Sequence, residues 1–289
     1  MIDVVHFSDP GCPWAYSAWP HLTALQWRYG DQLRWRLVMI GLAETPDRYV
    51  RDGYTPERGA LGYRSFRSRG MPFATGPRSR VMATSRACRA VVAVGAQAPQ
   101  LQLAAFRALQ FGWFTTDRLM DTDEAIADAL ARVPGLDVGA VVAALDDEAT
   151  VATYEEHRAQ ARAAAGSVTE AQGKSAATDG PVRYTAPSLL LTTADGRGLE
   201  AGGFQSLQVY DVCVMNLDRT LERRPRPDDV TELLRAFPHG LTTREVAQVL
   251  AADNDAPDDA SAEDTLIRAA AAGRARREPL GHDALWHAA

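Results

Sequence analysis

Lysine is nearly missing from this 289-residue chain: Lys174 is the only one, and arginine carries the rest of the positive charge. With the abundance of alanine, this skew suggests a GC-rich genome, which constrains the source and not the function. Cysteine is also scarce. Cys12, Cys88 and Cys213 are too few for a disulfide framework, and their spacing suits no zinc site. Histidines 157, 239, 282 and 287 show no ligand spacing either, so no metal is expected. No apolar run reaches about 18 residues, so no membrane span is expected. The formal charge of −6 argues against a general polyanion-binding role. No phosphate loop occurs, and Gly202-Gly203 reads as a bend. Residues 1–6 have an acid at the third position and no long apolar stretch behind a basic flank. They read as a first strand rather than a secretory signal, which makes the cytoplasm, with its reduced thiols, the expected compartment. What remains is enough for a real core: 46% hydrophobic and 24% charged residues.

Residues 2–7 form a short apolar run that ends in the turn cluster Ser8-Asp9-Pro10-Gly11. Pro13 suits a first helical position, where its missing N–H has no partner to lose. Trp19, Leu22, Leu25 and Tyr29 continue at helical spacing to Gly30, with a kink expected at Pro20. Residues 33–40 alternate as a strand, so strand, helix and strand make a βαβ unit with parallel strands. Residues 43–80 hold eight arginines against four acids, a local net of +4. A solvated irregular connector is the expected reading, ahead of a loop that receives an anionic small molecule.

Residues 81–165 read as consecutive helices, and 166–180 as a mobile link. A hairpin is expected around Asp195-Gly196, then a helix over 206–221 and a linker over 223–228. Two capped helices follow, started by Thr242 with Glu245 and by Ser261 with Asp264, and then a hairpin around Gly281. Helix, helix and hairpin suggest a degraded winged-helix module. Its five arginines against nine acids over 237–289 argue against DNA phosphates and for a structural cap or dimer contact.

The chemistry concentrates at Cys12. A cysteine in a turn after a strand, at the start of a helix, faces unpaired N–H groups and the positive dipole end, which favour the nucleophilic thiolate. Cys88 and Cys213 lie in apolar helical stretches and read as buried and inert. Pro187 stands immediately before a strand. It is either an ordinary strand-start residue or a cis bond that turns the backbone of Ala186 toward the sulfur. His6 either tunes Cys12 or, as expected, is a strand histidine with a satisfied ring. Asp9 is expected to form the turn rather than to act as a charged neighbour of the thiol. Tyr16, Ser17 and Trp19 either touch a ligand or pack.

Asp9-Pro-Gly-Cys-Pro-Trp14, Ala186-Pro187-Ser188, and Gly70-Met-Pro-Phe73 before a helical insertion together resemble the DsbA-like branch of the thioredoxin superfamily, in its FrnE-like and 2-hydroxychromene-2-carboxylate isomerase-like members. The resemblance covers roughly residues 1–220. It implies an α/β, thioredoxin-like fold over 1–42 and 180–221 with a loop and helical insertion over 43–179; the residues beyond it, 222–289, read as an appended α-rich, winged-helix-like C-terminal extension. It also implies that Cys12 is the catalytic nucleophile. Cis-Pro187 and the backbone of Ala186 would shape the substrate groove, with Pro13 and Trp14 at its mouth.

The departure is Ala15, where dithiol members of the family carry their second cysteine. A mixed disulfide at Cys12 then lacks its internal resolving thiol. The expected function is thiol–disulfide exchange with one cysteine, resolved by an external low-molecular-weight thiol such as glutathione or mycothiol. The alternatives are a thiol-cofactor-dependent transferase or isomerase, and a non-catalytic binding module that kept the fold. The expected partner is a small-molecule thiol or disulfide, with no nucleic acid, no membrane and a possible homodimer.

Overall fold

The computed structural model describes residues 1–178, 180–252 and 255–289. Strand β1 (Ile2–Ser8) leads through the turn into helix α1 (Pro13–Ser17), then α2 (Trp19–Tyr29) and β2 (Leu33–Met39). The helix expected to kink at Pro20 is in fact two helices that meet at Ala18. Proline at the second position of α2 offers no N–H to Tyr16 and crowds its carbonyl, so the first helix stops before it. Helices α3 (Asp47–Arg51) and α4 (Pro56–Phe66) follow where an irregular connector was expected. The Thr55 side chain caps α4 by accepting from the Arg58 N–H, and Pro56 starts it. The arginine-rich composition of 43–80 hid this local start signal.

The helical insertion contains α5 (Ser85–Gln97), α6 (Gln102–Thr115), α7 (Asp123–Leu130), α8 (Val138–Ala143) and α9 (Glu148–Ala161). The expected inner faces are buried, including Phe106, Leu109, Trp113, Ile126, Leu130, Val141 and Leu145. Residues 166–178 are more regular than a mobile link: α10 (Val168–Ala171) is capped by Ser167, and β3 (Ser175–Ala176) pairs with β4 (Arg183–Tyr184). Residue 179, also in that expected link, lies outside the described residues.

The hairpin of β5 (Ser188–Thr193) and β6 (Gly198–Ala201) completes a four-stranded sheet of order β2-β1-β5-β6. β1 and β2 are parallel, and β5 runs antiparallel to β1 with Phe7 opposite Ser188. This is the thioredoxin-like α/β arrangement. The register decides the site. Residues just before Ser188 must pass the C-terminal end of β1, where the Cys12 turn begins.

Helix α11 (Leu207–Leu217) ends four residues before the expected Leu221 and packs on the sheet. The last segment contains α12 (Val230–Ala236), β7 (Leu241–Thr242), α13 (Thr243–Leu250), α14 (Asp259–Ala271), β8 (Ala275–Leu280) and β9 (Asp283–Ala288), with a three-stranded sheet of order β7-β9-β8. The Thr242–Glu245 capping box is present. Helix α14 instead starts at Asp258, whose carboxylate accepts from the Ser261 N–H. A carboxylate is the better acceptor at a positive helix end.

This segment shares the main core. α13 packs on α2, and fully buried Glu245 holds Arg107 of α6 through two contacts of 2.7 and 2.9 Å. The same carboxylate accepts from Thr23 of α2 and from the Thr242 N–H. Among the described residues, no helix is long and apolar enough to cross a membrane.

Candidate active site

Cys12 caps the N-terminus of α1 with an extended backbone, and its N–H returns to the Asp9 carbonyl at 3.2 Å. Gly11 is dictated by a close approach: a Cβ there would lie 2.6 Å from Thr84 Cγ2 and 2.8 Å from the Trp113 ring. The Asp9 side chain locks the turn. It is fully buried and accepts from the Gly11 N–H (2.8 Å), the Leu42 N–H (2.8 Å), Thr84 Oγ1 (3.0 Å) and Cys88 Sγ (3.4 Å). Burial nevertheless pushes its pKa up. Asp9 is therefore more than the expected turn former, because it ties the turn to β2's end and to α5. Cys88 is buried as expected, but it contributes a hydrogen bond to that lock.

From the far end of the chain, the Ala186 carbonyl accepts from Cys12 Sγ at 3.2 Å. The Ala186–Pro187 peptide bond is cis, and both residues are buried. Tyr184 stacks on Phe7 at 4.7 Å beneath this loop. Phe7, Cys12, Val38, Ile40, Ala161, Tyr184 and Ala186 form an apolar cluster of their own on this side of the sheet. Pro13 is half-buried at the first position of α1.

Trp14 is 41% exposed and lies in a clamp that only the folded chain assembles. Phe66 of α4 meets it edge-on at 5.0 Å, and Phe204 lies 5.6 Å away. The Arg69 guanidinium sits over the ring at 4.2 Å and over Phe204 at 4.8 Å. Phe66, Arg69 and Phe204 carried no signal in the sequence beyond a basic segment and a bend.

The expectation of an ionised resting thiol is not met. Cys12 is only 6% exposed, and burial pushes its pKa up to about 12. The Ala15 and Trp14 N–H groups of α1 and the charge of Arg183 pull it down, while the charge of Asp9 pushes it up. The magnitudes explain the outcome. A helix terminus is worth at most about 2 kcal/mol, and α1 is barely one turn long; full burial of a charge can move a pKa by about 3–5 units.

His6 does not approach the sulfur. It points to the opposite face of β1 from Phe7, within 6.2 to 6.5 Å of the rings of Trp19, Trp35 and Phe106. Its Nε2 has no hydrogen-bond partner among the described residues, and burial lowers its pKa to about 3. It is a neutral core residue whose ring is less satisfied than expected. Tyr16 packs too: it stacks on Phe114 at 4.7 Å and donates to the Pro72 carbonyl.

The model of the DSBA-like thioredoxin domain matches residues 3–166, more than half of the chain. The chain belongs to the DSBA-like thioredoxin family. The match ends before β5, but pairing of β5 with β1 completes the DSBA-like sheet and brings Ala186 to Cys12. Among solved structures, the chain is similar to a candidate protein disulfide isomerase from Nitrosomonas europaea (TM-score 0.57, 15% identity, 74% of this chain and 98% of that one covered). It is also similar to the probable DsbA oxidoreductase SCO1869 from Streptomyces coelicolor (TM-score 0.55, 20% identity, 79% and 94% covered). The cytosolic disulfide reductase DsbM from Pseudomonas aeruginosa matches with a TM-score of 0.48, at 20% identity and 69% and 88% coverage. At these identities the likeness to the first two shows the fold alone. No curated protein matches the sequence.

Proposed function

We propose that this DSBA-like protein carries out thiol–disulfide exchange through Cys12 alone, with an external low-molecular-weight thiol, glutathione or mycothiol, as the resolving partner. The observation that carries this reading is the 3.2 Å contact between Cys12 Sγ and the Ala186 carbonyl, which sets the thiol of the motif against the backbone that enters β5. Burial keeps the resting thiol neutral, so reaction starts when a disulfide enters beside Trp14 and admits water to the sulfur. The thiolate then formed is held by the Ala15 and Trp14 N–H groups. It attacks one sulfur of the disulfide, forming the Cys12 mixed disulfide and expelling the other sulfur as a thiolate. With alanine at position 15, the external thiolate attacks the mixed disulfide, leaves as a new mixed disulfide and returns Cys12 to its reduced form. A reducing compartment, the cytoplasm, supplies such a thiol pool.

A second reading, a binding module without turnover, is favoured by the covered thiol and its raised pKa. Reduction of hydroxyethyl disulfide with glutathione or mycothiol separates the two. We expect turnover that is lost in Cys12→Ser and kept in Cys88→Ser and Cys213→Ser. Absence of turnover with both thiols overturns the exchange reading. Thiol-dependent conversion of a substrate without thiol oxidation would instead identify a transferase or isomerase.

A further inference from the structure

A cavity lies away from Cys12, between the helical insertion and the C-terminal segment. Its volume is about 440 Å³, within the range of about 300–1,000 Å³ usual for small-molecule sites. Its apolar wall comes from Phe111 of α6, Val133 after α7, Leu234 of α12 and Leu285 of β9. Arginines stand around that wall: Arg107, Arg132, Arg235 and Arg276. They face two carboxylates, Glu278 in the wall and Glu245 behind Arg107, which leaves a surplus of two positive charges.

The pairing is uneven. Glu278 is shared by Arg132 and Arg276, and His287 Nε2 lies 3.3 Å from the same carboxylate. Arg235 has no ion pair or side-chain hydrogen bond among the described residues. Arg107 is 1% exposed, and its Nε has no acceptor among the described residues. Burial lowers the pKa of both His239 and His287, so neither adds a charge at neutral pH. In a chain of net charge −6, this is a local concentration of cations over an apolar floor.

We propose that this cavity binds a small organic anion with an apolar body, a monocarboxylate carrying an aromatic or aliphatic group. The carboxylate takes the donors of Arg132 and Arg276 that one glutamate cannot satisfy, with Arg235 beside them. The apolar body lies on Phe111, Val133, Leu234 and Leu285. A fork of guanidinium donors suits a planar carboxylate, whereas the floor rewards area that a bare inorganic ion lacks. The site is independent of the chemistry at Cys12, and its test does not read activity.

The test uses the full chain with benzoate, hexanoate and inorganic phosphate as probes, followed by isothermal titration and thermal unfolding. Benzoate or hexanoate is expected to bind and to raise the melting temperature with concentration, by mass action on the folded state. Arg132→Ala and Arg276→Ala should each weaken binding by about tenfold or more, as loss of a charge-assisted contact does. Both side chains are 42–57% exposed in surface ion pairs, so the variants keep their fold, checked by circular dichroism. Arg268→Ala, which removes an exposed side chain of α14, should change nothing. The proposal is overturned if neither carboxylate binds, if sodium chloride of equal ionic strength gives the same shift, if phosphate binds as well as benzoate, or if both arginine variants retain full affinity.

Discussion

Burial of Cys12 gives the sharpest expectation, because it acts on both reactivity and stability. Its thiol pKa is pushed from an ordinary 9.0 to about 12. Well below both values, the thiolate fraction therefore falls about a thousandfold, and alkylation of the resting protein should slow by a similar factor. In stability, the folded state holds its proton to a higher pH than the unfolded chain. The associated stability is fully present below the unfolded thiol pKa. It is lost as pH rises toward about 12, at up to about 1.4 kcal/mol per pH unit. The assay uses a Cys88→Ser/Cys213→Ser background, so that only Cys12 reports. Iodoacetamide modification is followed by intact mass across pH, and urea unfolding is measured at about pH 7.5 and about pH 10 with and without Cys12→Ser. The protein with Cys12 should lose about 1.4 kcal/mol more than the serine variant over that interval. A modification rate that levels off near neutral pH, or identical pH dependence in the two proteins, refutes the argument that burial outweighs the helix end.

Other perturbations test the frame around the sulfur. Gly11→Ala drives a methyl group into Thr84 and Trp113, and should cost about 1–3 kcal/mol in urea unfolding. Asp9→Asn keeps the volume but removes the charge that raises the Cys12 pKa, so the alkylation profile should move to lower pH. Ala15→Cys places a second thiol one helical turn from Cys12, and air oxidation should yield an intrachain disulfide seen as a loss of two hydrogens by mass. Glu245→Leu strands the buried Arg107 guanidinium and should cost about 3–5 kcal/mol in chemical unfolding, whereas an exposed pair such as Arg268 with Asp264 should cost under about 1 kcal/mol.

Short-range chemistry was legible in the chain. The turn and Pro13 announced a strand–turn–helix at Cys12, Asp195-Gly196 marked the hairpin, and Thr242 with Glu245 announced their helix. These signals involve neighbours a few residues apart, and they survive whatever the rest of the fold does. The order of such pieces also sufficed to suggest the thioredoxin-like sheet. Helices α3 and α4 were missed because eight arginines masked the Thr55-Pro56 start.

The state of the site was decided elsewhere. Ala186 reaches the sulfur across 174 residues, Cys88 reaches Asp9 across 79, and Arg69 covers Trp14 from a segment that read as solvated. Arg107 and Glu245 meet across 138 residues and join the C-terminal segment to the core. Residue type and position told where a thiol stands in its helix, hence the sign of the dipole's pull on it. Whether that thiol ionises depends on how much water and how many charges lie within a few ångströms, and most of those atoms arrive from distant parts of the chain.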